Sequence, residues 1–158
     1  MGDLSDVNNY RPVSLSTVLS KVFEQILLPL LENTIKLNER QFGFRPNLST
    51  DLAIFSLKNC IAYYTERKTS VYACFLDLSK AFDRVVYDKL WGKLERAGVP
   101  DGIIRILRYW YQNQQNVVKW QSSYSDPYIL NCGVRQGGLT SPLLFNLYVN
   151  DLIDELSE

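Results

Sequence analysis

Histidine is absent from these 158 residues. That excludes the Ser-His-Asp triad, the His-based zinc site and the imidazole proton relay. Cysteine is scarce: Cys60, Cys74 and Cys132 are odd in number, widely spaced and form no CxxC. They predict buried thiols of a reducing, intracellular protein rather than zinc ligands or a disulfide framework. No apolar run approaches the ~18 residues of a membrane span, and no secretory signal opens the chain, so a soluble protein with no membrane partner is expected. A GxxxxGK[ST] phosphate loop is missing as well. Net charge is the last absence: 17 basic residues balance 17 acidic ones. The average conceals a pattern. All 17 basic residues lie between the two acidic ends, which hold Asp3, Asp6, Asp151, Asp154, Glu155 and Glu158, so 17 basic residues against 11 acids leave the body at +6. That is compatible with a nucleic-acid partner without demanding one.

What is present suffices for one domain with a sizeable core, since 46% of the residues are hydrophobic. From Ser16 the apolar positions Val18, Leu19, Val22, Phe23, Ile26, Leu27, Leu30 and Leu31 have helical spacing behind a capping serine, with Pro29 expected to kink the helix or end it. A loop at residues 38–47 carries Arg40, Gly43, Arg45 and Pro46. Ser49 then caps a second helix through about Glu66, with Leu52, Ala53, Leu57 and Ile61 inside. An apolar, β-rich run at 71–76 predicts a buried strand. A third helix starts at about 82 or 87 and closes at Gly98, and Pro100 and Asp101 open a fourth with Ile103, Ile104, Ile106 and Leu107 inside. Strands at 117–120 and 128–130 flank a turn, and a last helix runs from about Ser141 to Leu152 with Pro142 in its first turn. Helices and strands mix without a βαβ beat, so the fold class is α+β.

Two segments carry chemistry. In VYACFLDLSKAFD, residues 71–83, the strand ends on Asp77, and six residues later Asp83 stands beside Phe82. A carboxylate held by a sheet suits Mg²⁺, whose octahedral geometry demands rigid oxygens, and a strand-end Asp capping the next helix is the equal alternative. In GVRQGGLTSPLLFNLYVNDL, residues 133–152, three glycines surround Gln136 ahead of a helix N-terminus. Such a loop brings backbone close to a ligand or is simply a turn before a core helix.

Together FLDLSKAFDRV and GVRQGGLTSPLLFNLYVNDL resemble the first two palm blocks of a reverse transcriptase, and NNYRPVSLSTVLSKVFEQIL and QFGFRPNLSTDLAI resemble its finger blocks. The pattern is nearest to polymerases of non-LTR, jockey-like retrotransposons, and more distant from group II intron proteins. The resemblance implies a right-hand polymerase, with fingers over 1–70 and a partial palm over 71–158 whose antiparallel sheet packs on helices. It implies an RNA template, a DNA primer and deoxynucleotides as partners, and two Mg²⁺ ions as cofactors. By the same resemblance Asp77 is the catalytic carboxylate bridging the metals, and the backbone carbonyl of Leu78 is a further ligand. Phe82 is the steric gate under the sugar, and Gln136 and Gly137 pack against the incoming nucleotide. Asp83 caps its helix or pairs locally with Lys80. Arg11 reaches the triphosphate, while Arg45 touches template backbone or pins its own loop. Arg105 and Arg108, one helical turn apart, flank nucleic acid or, the favoured expectation, simply face water. The family often has Pro where this chain has Arg135, which would add a cation near the substrate.

The resemblance also implies a further hairpin with two adjacent aspartates, followed by a thumb. These residues contain no Asp-Asp pair and stop at Glu158. They are therefore expected to be part of a polymerase, inactive alone, with an exposed apolar sheet edge and a nuclear or cytoplasmic location. The rival expectation is a non-catalytic nucleic-acid-binding relic of such a polymerase.

Overall fold

The computed structural model describes residues 6, 9, 10 and 13–156. Thr17, not Ser16, starts the first helix, its Oγ1 accepting the amide of Ser20 at 3.2 Å. Helix α1, Val18–Thr34, runs through Pro29 instead of ending there. Its stripe Glu24, Leu27 and Leu31 is buried, whereas Val18, Leu19, Val22, Ile26 and Leu30 are exposed. The loop that follows leads to α2, Thr50–Glu66, whose Ser49 cap accepts the amide of Leu52 at 3.3 Å as expected. The expected inner face of α2 does not form: the helix buries none of its side chains.

The strand expected at 71–76 is also missing. Residues 69–78 hold no regular structure, and Tyr72, Phe75 and Leu76 are exposed. A β-rich run becomes a strand only when a neighbour takes its N–H and C=O groups. No described segment pairs with this one.

The rest of the chain builds the core. A 3₁₀ turn, Phe82–Arg84, leads into α3, Tyr87–Arg96, closed by Ala97 and Gly98; Pro100 precedes α4, Asp101–Asn113. Leu90, Trp91 and Leu94 of α3 and Ile104, Leu107 and Tyr111 of α4 are buried at helical spacing, whereas Ile106, expected inside, is exposed. Helix α5, Ser141–Tyr148, packs on α3 through Leu144 and Leu147 and continues after a break at Val149 as α6, Asn150–Glu155. The last helix is thus two short ones.

Between α4 and α5 the chain makes an exposed ribbon. Strand β1, Gln115–Asn116, pairs antiparallel with β4, Tyr128–Ile129, and β2, Lys119–Trp120, pairs with β3, Ser123–Tyr124. The turn lies at 121–122, with Gln121 at φ 54°. The expected strands at 117–120 and 128–130 therefore fold back on other partners than each other. Helices with small antiparallel strands confirm the α+β class, but among the described residues the strands form no sheet packed on helices.

Candidate nucleotide site

The two signature segments, 50 residues apart, are zipped together. Val134 donates its amide to the carbonyl of Phe82 and Gly133 donates to that of Val85, both at 2.8 Å, and an antiparallel bridge joins Val86 to Cys132. Gly133 is required there. Its φ is 92°, and a Cβ would stand 3.1 Å from both the Cα and the carbonyl oxygen of Asp83. Three residues on, Gln136 Nε2 donates to Asp83 Oδ1 at 3.1 Å. Asp83 thus pairs with the loop amide. It caps neither helix beside it, and its own amide donates to the Lys80 carbonyl at 3.0 Å. The backbone of Gln136 also reaches the N-terminal segment, accepting the Ser14 amide at 3.0 Å. Gly137 at φ 102° leaves no easy room for a side chain, since its Cβ would lie 3.2 Å from the Ser14 carbonyl.

Phe82 is half-buried and held between two rings. Its centroid is 4.8 Å from that of Phe145 on α5 and 5.7 Å from that of Phe44 in the 38–47 loop. Phe44 itself sits at φ 54°, a left-handed conformation that a bulky residue keeps only when its surroundings impose it. Those surroundings are visible. Asn146 Nδ2 donates to the Gly43 carbonyl at 2.8 Å, Gln41 Nε2 donates to the Asn146 carbonyl at 2.9 Å, and Asn38 donates its amide to Asn150 Oδ1 at 2.7 Å. Arg45 Nη1 donates to the carbonyls of Asn38 at 2.8 Å and Gln41 at 3.3 Å. Of its two expected roles, pinning the loop is the one its contacts display. Sequence reasoning missed Phe44, Phe145 and Asn146; nothing in their spacing marks them as partners of Phe82.

Asp77 is exposed and in no regular element, and Leu78 beside it is 55% exposed. The segment does not bring Asp77 into the zipped pair. Among the described residues no three acids or cysteines cluster to hold a metal. One carboxylate and one backbone carbonyl are oxygen donors of the kind Mg²⁺ takes. Arg11 lies outside the described residues.

Arg135 overturns its expectation. Its side chain is buried, with the guanidinium carbon 4.1 Å above the Trp110 ring and Nη2 3.8 Å from Glu24 Oε1. An aromatic face and a buried carboxylate offer a guanidinium more than open solvent does only because both are already fixed there. The cation points into the core, not toward a substrate. Arg105 and Arg108 do face solvent, paired with Asp101 at 3.1 Å and Glu95 at 3.0 Å. All three cysteines are free and exposed, contrary to the expected burial; Cys132 nonetheless donates its Sγ hydrogen to the Asp83 carbonyl at 3.3 Å. Burial pushes the phenols of Tyr87 and Tyr111 up to about 12, with Arg135 opposing the shift in both.

The reverse transcriptase (RNA-dependent DNA polymerase) family model matches residues 3–158. The chain belongs to the reverse transcriptase family. Its relatives include the probable RNA-directed DNA polymerase from transposon BS of Drosophila melanogaster, 32% identical over 91% of this chain and 16% of that protein. Another is the RNA-directed DNA polymerase from mobile element jockey of Drosophila funebris, 28% identical over 93% of this chain and 16% of that protein. The retrovirus-related Pol polyprotein from type-1 retrotransposable element R2 of Popillia japonica is 26% identical over 98% of this chain and 22% of its own length. The expected kinship with retrotransposon polymerases therefore holds. This reverse transcriptase chain spans about a sixth to a fifth of these relatives' lengths.

Proposed function

We propose that the chain forms the fingers and first palm blocks of an RNA-directed DNA polymerase that adds deoxynucleotides to a primer 3′-hydroxyl. The observation that carries this reading is the pairing of Phe82 and Asp83 with residues 133–136 in a chain of this family. In this reading the Phe82 ring, held by Phe44 and Phe145, lies under the sugar and meets a 2′-hydroxyl as a clash. Gln136, oriented by Asp83, and the small Gly137 form the floor against the base of the incoming nucleotide. Asp77 is the carboxylate of the metal site, with the Leu78 carbonyl beside it, and Arg11 supplies a guanidinium for the triphosphate. Arg45 acts on the template through the loop it fixes. When bound, Mg²⁺ neutralises triphosphate charge and activates the primer hydroxyl, in the manner of two-metal sites.

One carboxylate is too few to organise that chemistry, so these 158 residues alone are expected to incorporate nothing. The test replaces the matching region of the jockey polymerase with this chain and assays RNA-templated primer extension. Mg²⁺-dependent incorporation that falls at least ~10³-fold in Asp77→Ala is expected, the scale of loss when transition-state charge stabilisation is removed. Incorporation that survives Asp77→Ala overturns the assignment. A correctly folded exchange with primer–template affinity but no incorporation supports the non-catalytic relic instead.

A further inference from the structure

Glu24 is the most buried acid among the described residues, its side chain 1% exposed, and it lies on helix α1 far in sequence from the Gly-rich loop. Its Oε1 accepts the hydroxyl of Thr140 at 2.9 Å and the amide of Thr140 at 3.4 Å. The same oxygen faces Arg135 Nη2 at 3.8 Å. Arg135 and Thr140 are the two ends of the turn that carries Gln136 and Gly137, and both are buried. The turn closes tightly over the carboxylate. A Cβ at Gly138 would stand 3.0 Å from Glu24 Oε1 and 2.5 Å from Ser141 Oγ. A buried carboxylate is retained at a cost, and the polar contacts of its Oε1 go to one loop.

We infer that Glu24 is the positioning residue of the Gly-rich loop: one carboxylate oxygen anchors both ends of the turn and so sets Gln136 against Asp83. The consequence for nucleotide binding rests on the function proposed above; the anchoring itself does not. Arg135 is the loop's own half of the clamp, held over Trp110 so that its charge cannot turn outward. The polar contacts of Glu24 Oε1 are to Thr140 and Arg135 rather than to Phe82 or Asp83, so it acts through the loop.

Hydrogen exchange on the 158-residue chain decides the matter, comparing wild type with Glu24→Gln. The Ser14 and Gly138 amides, bonded to the carbonyls of Gln136 and Arg135, report the loop; the amides of Leu94 and Leu107 report the core. Loop amides that exchange at least about tenfold faster, with core amides within about twofold, are expected for local release. Unchanged loop amides, or equal acceleration everywhere, overturn the inference. Should Glu24→Gln fail to fold, the paired variant Glu24→Met with Arg135→Met removes both charges and is read by the same two sets of amides. In the active domain exchange, Glu24→Gln is expected to raise the KM for deoxynucleotide about tenfold with kcat changed less than about threefold. Released loop amides with an unchanged KM would keep the positioning role and overturn the nucleotide reading of the loop.

Discussion

Gly133 concentrates the backbone demands of the site in one residue. Gly133→Ala places a methyl group 3.1 Å from the Asp83 backbone at a φ of 92°, so both the conformation and the space are wrong. A loss of about 2–3 kcal/mol in denaturant unfolding is expected, against less than about 1 kcal/mol for Gly92→Ala, which meets no atom within 4 Å. Tyr111 gives a pH-dependent counterpart. Burial raises its phenol from 10 to about 12, so the folded chain holds that proton more tightly than the unfolded one between those values. The stability tied to this group is complete below pH 10 and is lost as pH rises toward 12, by about 2 kcal/mol. The Ser141 hydroxyl beside its own hydroxyl partly opposes that rise. Tyr111→Phe removes the titrating group and should therefore lose less stability between pH 10 and 12 in urea titrations. At this scale the sequence pointed to Phe82, Gln136 and Gly137 through motif resemblance, and the structure shows what holds them. Glu24 was visible as an acid three residues before Leu27 and seven before Leu31, on the buried stripe of α1. Its partners were not visible, because Arg135 and Thr140 lie more than 100 residues away.

Helices were legible where their ends carry local chemistry. Ser49, Gly98, Pro100 with Asp101, and Pro142 each mark a boundary within a residue or two of the observed one. Elements whose formation depends on distant partners were not. The run at 71–76 has the composition of a buried strand but no neighbour among the described residues. The apolar positions of α2 have helical spacing, but none of them is buried among the described residues. Periodicity states which face would be buried and is silent on what buries it. The break at Val149 is a third case: Lys93 Nζ donates to the Tyr148 carbonyl at 2.5 Å and pairs with Asp151, tying α3 to the junction of α5 and α6. That hydrogen bond from Lys93 holds the Asp151 carboxyl below its usual range. Helix α2 offers the element-level test. A 17-residue helix without tertiary burial is marginal in water, so its amides are expected to exchange at least about a hundredfold faster than those of Leu94 and Leu107. Protection of α2 equal to that of α4 would show that it packs in solution.

Across the whole molecule, the proposed function depends on segments brought together from three regions of sequence. The 38–47 loop, the turn at Phe82–Arg84 and the loop at 133–138 meet because α3, α4 and α5 form a common core, and α1 closes it through Leu27, Leu31 and Glu24. Outside this core lies much exposed apolar surface, on α1, α2 and residues 71–78, and Asp77 belongs to that outer part. The face with an assembled structure is therefore the one that carries Phe82 and the Gly-rich loop, and the proposed gate is the feature to measure. The most direct test is the ratio of kcat/KM for deoxynucleotide over ribonucleotide in the jockey domain exchange, with Phe82 and with Phe82→Val. The gate assignment predicts that the smaller side chain admits the 2′-hydroxyl and lowers the ratio at least about tenfold while deoxynucleotide incorporation persists. An unchanged ratio in an active Phe82→Val polymerase would contradict it.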